Sequence, residues 1–197
     1  MKRMKRLLLF LSIGAAAGAI VSASFAGGVV RGFEYALEDL LFSERPVSGE
    51  IVIVAIDDAS LAVIGQWPWP RRVFADLLEK LARHPPAAVG LDVMFAEPSR
   101  QGADDDEALR QALAAIPYPV VLPVEGRSIA IQKDGAAAAD TLLAPLPLFT
   151  GPRVSRGHVN VIEDRDGVVR RFPDRIALAG QAAQGQVFPA FAYEVVR

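Results

Sequence analysis

The chain has 197 residues with a formal net charge of −2, which allows one sizeable α/β domain plus extra segments. Four of its 21 basic residues lie in the first six positions, so 17 basic residues stand against 23 acidic ones in the remainder. That balance argues against nucleic acid as a partner. Cysteine is absent, which excludes disulfide frameworks, zinc knuckles and thiol catalysis.

The segment 7–30 has no charged residue and predicts a transmembrane helix. As a helix it would span about 36 Å, more than the roughly 30 Å hydrocarbon core of a bilayer. The basic tail 1–6 predicts a cytoplasmic N-terminus, with the rest of the chain outside the cytoplasm. A signal peptide cleaved near Ala26 is the alternative, but the apolar run is long for that.

Small residues recur every four positions within this apolar segment, at Gly14, Gly18, Ser22 and Ala26. Such spacing lets two helix backbones approach closely in lipid. It therefore predicts a homodimer that forms through the transmembrane helix. An alanine-rich helix would show the same pattern by composition alone, and that reading stays open.

A juxtamembrane segment, 31–48, leads from the membrane into a sensor domain that we expect to cover 49–197. Its first part, 31–43, has apolar residues on one side and predicts a helix that continues out of the bilayer. The stretch RPVSGE at 45–50 then ends the helix.

Three apolar runs predict buried strands: IVIVAID at Ile51–Asp57, AAVGLDVMF at Ala87–Phe95 and PVVLPV at Pro119–Val124. Amphipathic patterns at 71–84 and 104–116 predict the helices between them. This alternation indicates parallel strands joined by right-handed crossovers and sandwiched between helices.

The last third of the chain predicts an antiparallel addition to that sheet. SIAIQ and RIALAG are typical of strands, the alanine-rich run 135–149 is ambiguous, and 157–173 resembles a hairpin with Asp166–Gly167 at its turn. The final ten residues, FPAFAYEVVR, start a helix without a stop signal, so we expect the chain to continue past Arg197. The predicted class is α/β, with one transmembrane helix in front.

Acidic residues follow two of the predicted parallel strands, where ligands collect in such sheets. Asp57 ends the first strand and Asp92 lies near the end of the second, with Asp104–Asp106 as possible neighbours. Carboxylates grouped there would suit Mg²⁺, so the alternative function is a membrane-anchored, Mg-dependent phosphohydrolase that uses Asp57 and Asp92. Residue Ala59 stands where an Asp-x-Asp nucleophile pair needs its second acid, and Asp57 equally suits a turn or a helix cap.

The other chemically active residue types form no catalytic pattern. His84 and His158 are isolated in sequence, and Ser60 has neither a partner histidine nor a nucleophile elbow. We therefore expect no catalytic residues, no resident metal ion and no cofactor.

The stretch GQWPWPRR at 65–72 contains both tryptophans of the chain. Each proline biases the tryptophan before it toward extended geometry, and Pro70 suits the first position of the following helix. Two fixed indoles and Arg71 beside a carboxylate edge would suit an organic ligand, whereas at least one indole is expected to be a plug between helix and sheet. The predicted ligand site consists of Asp57, Trp67, Trp69, Arg71 and Asp92.

These motifs together resemble the second type of CHASE domain, a cyclase/histidine-kinase-associated sensory extracellular domain. The resemblance is carried by VAIDDASLAVIGQWPWPRRVFADLLEKL, AAVGLDVMFAEPS and the late GHVNVIEDRDGVVRRFP, and it covers about residues 34–197. It implies a periplasmic sensor of a bacterial inner-membrane receptor, with an unknown small molecule or environmental change as its signal. The implied output is a cytoplasmic adenylyl or diguanylate cyclase or a kinase, which these residues do not include.

Overall fold

A computed structural model describes residues 2–27, 29–42, 46–131, 137–164, 166–170, 172–179 and 187–197. The chain divides into two compact units, Met1–Ala55 and Ile56–Arg197. Each unit has its own secondary structure.

The first unit contains two helices, α1 (Lys2–Ala26) and α2 (Val29–Leu41). Within α1, the stretch Leu8–Ala26 has a mean hydropathy of 2.0 and is long and apolar enough to cross a membrane. The N-terminal apolar helix predicted from the sequence is thus present. The amphipathic α2 follows it and exposes Phe33, Leu37 and Leu40.

The predicted first strand, Ile51–Asp57, is wrong. Residues 51–57 form neither helix nor strand, and Ile51, Val52 and Ile53 are 78, 81 and 85% exposed. β-branched residues favour extended backbone, but an extended segment becomes a strand only when a neighbour supplies hydrogen bonds and a surface to pack on. None of the strands in the described part of the chain pairs with this segment.

The second unit is a mixed sheet flanked by helices. Its helices are α3 (Asp58–Ile64), α4 (Arg71–Leu81), α5 (Ala103–Ala115) and α6 (Phe191–Val196). Its strands are β1 (Val89–Gly90), β2 (Val120–Ile131), β3 (Ala137–Leu143), β4 (Val154–His158), β5 (Arg175–Leu178) and β6 (Val187–Pro189). The strand order is β1-β2-β3-β5-β6, and β4 also pairs with β2.

Strand β2 organises the sheet because its two halves belong to different ladders. The first half pairs in parallel with β1 and with β4, where Val120 lies opposite Val89 and Val154. The second half pairs antiparallel with β3, and β5 pairs antiparallel with β6. The predicted class, a parallel centre with a later antiparallel addition, is confirmed.

Alternation along β1 places helices on both faces of the sheet. Val89 and Leu91 pack into the main hydrophobic core with residues of α4 and α5. Gly90, between them, points to the other face, where an added Cβ would lie 2.9 Å from the Phe191 ring of α6. The sheet is therefore sandwiched between helices, as the sequence predicts.

The Asp-Gly turn of the predicted hairpin at 157–173 is present between β4 and β5, but the described residues between these two strands form no further strand to complete a hairpin. Gly167 has φ +79°, a left-handed conformation that glycine adopts without strain. Its N–H donates to the Asp164 carbonyl at 2.9 Å, and Asp164 in turn donates to the Val168 carbonyl at 2.9 Å. Arg170 closes the turn through ion pairs with Asp164 at 3.1 Å and Asp166 at 2.9 Å.

The GHVN motif at 157–160 contacts β2 through Asn160 and the start of α6 through Gly157. Asn160 accepts from the Gly126 N–H at 2.7 Å and donates to the Gly126 carbonyl at 2.8 Å, which extends the contact between β4 and β2. A Cβ on Gly157 would lie only 2.5 Å from the Phe191 Cα, so a side chain here would displace the start of α6.

We expect Gly157→Ala to lower the free energy of unfolding by about 1–3 kcal/mol, because the added methyl group overpacks against backbone that cannot yield cheaply. Urea denaturation of the chain in detergent micelles, followed by circular dichroism, measures the change. The control is Gly32→Ala in α2, where an added Cβ meets nothing within 4 Å. Equal effects of the two substitutions would contradict the close contact between β4 and α6.

Candidate functional site

Residues 65–72, here called the WP loop, comprise the connection between α3 and α4 and the first two residues of α4. Trp69 is 7% exposed and donates its indole N–H to the Gly65 carbonyl at 2.8 Å. Trp67 is 42% exposed. Trp69 is thus the buried, hydrogen-bonded plug that the sequence interpretation includes, whereas Trp67 presents part of its ring to solvent.

A continuous series of aromatic rings, here called the aromatic row, runs from the surface into the core. Ring centroids are 5.7 Å apart between Trp67 and Trp69, 6.3 Å between Trp69 and Phe74, 5.2 Å between Phe74 and Phe95, and 5.7 Å between Phe95 and Phe149. Three of these pairs are edge-to-face, the arrangement that aromatic quadrupoles favour. The partly exposed indole of Trp67 therefore contacts a packed series of buried rings.

The N-terminus of α4 is capped by a carboxylate from another helix. Asp105 of α5 is 0% exposed and accepts from the N–H of Arg71 at 2.7 Å and of Arg72 at 3.0 Å. Ser99 donates its hydroxyl to the same carboxylate. Because Pro70 offers no side-chain cap to α4, these otherwise unpaired N–H groups depend on Asp105. We call this set of contacts the Asp105 cap.

The Arg71 side chain joins the WP loop to the loop before α5. Its Nε lies 3.4 Å from Asp106, a terminal nitrogen donates to the Glu97 carbonyl at 2.9 Å, and its guanidinium lies 4.6 Å from the centre of the Phe95 ring. Asp106 also accepts from the Ser99 N–H at 2.9 Å. Arg71 thus makes several internal contacts in the described part of the chain.

The environment of Asp105 keeps it ionised. Burial raises the pKa of its carboxyl group, but hydrogen bonds from the Ser99 hydroxyl and from the N–H groups of Arg71 and Arg72 lower the pKa by more, so the net pKa is below its usual value. This role of Asp105 was not predicted from the sequence. The available signal was helical spacing, since Asp105, Leu109 and Ala112 share the buried face of α5.

Asp57 is the N-cap of α3. Its carboxylate accepts from the Ser60 N–H at 2.9 Å, and the Ser60 hydroxyl accepts from the Asp57 N–H at 2.8 Å, which together form a capping box. The Ser60 N–H and the Ser60 hydroxyl both donate to the Asp57 carboxylate, and these two hydrogen bonds lower the pKa of Asp57. Asp57 is exposed and has the helix-cap role that the sequence analysis gave as an alternative.

Asp92 is exposed between the buried residues Leu91 and Val93. Among the residues with described positions, no hydrogen bond or ion pair connects Asp57 or Asp92 to the WP loop. The structure therefore places Trp67, Trp69 and Arg71 next to the aromatic row, and both Asp57 and Asp92 are exposed.

Asp105 and Asp106, two of the three consecutive aspartates at 104–106, accept hydrogen bonds from Arg71, Arg72 and Ser99. Within the described ranges, no group of three or more His, Asp or Glu side chains is arranged to hold a metal ion.

The family model of the CHASE2 domain matches residues 15–197, which include the C-terminal half of α1, all of α2 and the entire second unit. The chain belongs to the CHASE2 domain family. The resemblance recognised from the motifs is thereby confirmed. A search of curated proteins gives no match, and neither does a search of solved structures.

CHASE2 domains are extracellular sensory domains and not catalytic ones, so family membership does not support the phosphohydrolase alternative. In this CHASE2 domain the residues of the predicted site differ in exposure. Trp69 and Arg71 make internal contacts, whereas Asp57, Trp67 and Asp92 reach solvent.

We expect Asp105→Asn to lower the free energy of unfolding by about 3 kcal/mol, since it leaves buried donors facing an amide that satisfies them poorly. Urea denaturation gives the value. Asp104→Asn is the matched control, because Asp104 lies on the same turn of α5 but is exposed, and its effect should stay within about 0.5 kcal/mol. An Asp105→Asn variant as stable as this control would show that the cap contributes nothing.

Proposed function

We propose that this chain is the extracytoplasmic sensor region of a bacterial membrane receptor, held in the inner membrane by α1 with its N-terminus in the cytoplasm. The observation that carries the proposal is the joint presence of a CHASE2 domain and an apolar N-terminal helix long enough to cross a membrane. The basic tail before α1 supports this orientation. The output module would be a cytoplasmic cyclase or kinase outside these residues.

For the ligand site we propose the set predicted from the sequence: Asp57, Trp67, Trp69, Arg71 and Asp92. Trp67, Asp57 and Asp92 would touch the ligand, because their side chains are exposed. Trp69 and Arg71 would act as positioning residues that fix the WP loop from beneath. An indole face and two carboxylates suit an organic ligand with positively charged or hydrogen-bond-donating groups.

Signal transfer would proceed through two copies of the chain. The small residues Gly14, Gly18, Ser22 and Ala26 support helix pairing in lipid through α1. A ligand shifts such a pair between two arrangements only by its difference in affinity for them. The proposed homodimer would therefore exist in both arrangements before ligand binds.

The absence of cysteine makes the orientation directly testable. We expect Ser48→Cys to react with a membrane-impermeant maleimide in intact spheroplasts, because residue 48 would lie outside the cytoplasm. Met4→Cys should react only after the membrane is permeabilised. Labelling of Met4→Cys in intact spheroplasts, with Ser48→Cys protected, would contradict the proposed receptor topology.

A thermal-shift screen of organic cations and other small metabolites tests the ligand site. A compound present at 100 times its Kd stabilises the folded chain by about 2.7 kcal/mol, enough to raise Tm by several degrees. We expect Trp67→Ala and the Asp57→Asn/Asp92→Asn double variant to abolish the rise in Tm. The control is Asp76→Asn, an exposed aspartate of α4, which should retain it. A shift that survives in all three variants would place the ligand elsewhere.

A further inference from the structure

His158, the last residue of β4, is a buried histidine with no role in the site above. Its side chain is 2% exposed, and neither ring nitrogen has a hydrogen-bond partner among the described residues. Buried polar side chains are nearly always hydrogen-bonded, so this imidazole is unusual. The Pro173 carbonyl and the Asp174 carboxylate both favour a protonated ring, although neither accepts a hydrogen bond from it.

The backbone around His158 connects it to the start of α6. His158 forms a parallel bridge with Ala190, the residue before α6, and Val124 of β2 lies opposite on the other side. The Ala190 N–H donates to the Asp174 carbonyl at 2.8 Å. The segment 172–175 therefore makes two contacts. It lies near the His158 ring, and it accepts a hydrogen bond from the backbone of Ala190.

An open cavity separates the segment 172–175 from part of α6. The cavity has a volume of about 740 Å³ and is lined by Phe172, Asp174 and Arg175 on one side and by residues within 187–197, including Ala190 and Tyr193, on the other. Because this space is open, a movement of the segment away from α6 and toward the His158 ring does not have to break close packing across the cavity.

We propose that His158 is the group through which the domain senses protons: when its ring takes up a proton, the segment 172–175 moves toward the charged ring, releases Ala190 and loosens α6. The proposal rests on the proposed receptor function and names the proton as a signal. Alternation along β4 places the ring on the face opposite to Gly157 and α6, so the effect reaches α6 through the segment 172–175.

The elements around His158 carry several charged residues. They are Arg156 on β4, Glu125 on β2, Asp174 and Arg175 on the segment before and at the start of β5, and Glu194 and Arg197 in the last residues of the chain. Among them, Asp174 is the one whose charge favours the protonated ring. A protonated His158 would therefore have the Asp174 carboxylate as a counter-charge, on the segment that holds Ala190.

The direction of the pH effect follows from the burial of the ring. Burial lowers the pKa of His158 below its ordinary value of 6.5, with the Pro173 carbonyl and Asp174 opposing that change in part. We call the arrangement in which the segment 172–175 holds Ala190 the closed state. Because the ring binds a proton more weakly in the closed state than after the segment has moved toward it, the closed state is favoured above pH 6.5. It loses stability as the pH falls below that value toward the lowered pKa.

Hydrogen exchange of the full chain in detergent micelles tests the proposal. The protection factors of residues 187–197, corrected for intrinsic exchange rates, are compared at about pH 7.5 and about pH 5.5, on either side of histidine titration. We expect protection to fall on acidification, by at most about tenfold for each unit by which the closed-state pKa lies below the free value. His158→Phe should remove that fall.

Two further variants make the outcome decisive. His84→Gln is the matched control, since His84 is the other histidine of the chain and is exposed, and it should leave the acid response intact. Asp174→Asn should fold even if His158→Phe does not, and it should move the response to lower pH by removing the counter-charge. An acid response that is absent in the wild type, or unchanged in Asp174→Asn and His158→Phe, would overturn the proposal. Receptor topology and ligand-dependent Tm shifts would be unaffected by that failure.

Discussion

The Asp105 cap is the interaction on which the arrangement of the WP loop depends. A carboxylate removed from water is stable only while its donors stay in place, and here the donors come from α4 and from the loop before α5. Breaking any one of them leaves a buried charge or an unpaired helix terminus. Helices α4 and α5, the WP loop and the loop before α5 are therefore held in one fixed arrangement. Trp67 reaches solvent from a loop whose position is fixed in this way.

Strand β1 provides a physical connection between the WP loop and α6. Gly90 contacts Phe191 on one face of the sheet, and Phe95, shortly after β1 in the chain, packs against Phe74 within the aromatic row. A proton at His158 and a ligand at Trp67 would thus act on opposite ends of one packed structure. Coupling between the two would need β1 to have two arrangements, each favoured by one of the signals.

The features predicted correctly from the sequence are those that local pattern determines. The periodicity of α4 and α5, the parallel strands around β2, and the Asp-Gly turn all follow from spacing and residue type. The strand at 51–57 failed because its β-branched run satisfies propensity without a partner strand. The Asp105 cap was missed because an acidic residue in the first turn of a helix is ordinarily explained by the helix dipole. Whether Asp57 and Asp92 lie together depends on sheet neighbours that no single sequence specifies.

The most direct test of the central claim is a double-mutant cycle between Ser99 and Asp105, the two side chains that meet beneath the WP loop. The free energy of unfolding is measured for the wild type, Ser99→Ala, Asp105→Asn and the double variant. The Asp105 cap predicts a coupling energy of about 1 kcal/mol or more, because the hydroxyl stabilises the carboxylate only while the charge is there. Additive effects, with no coupling, would contradict it.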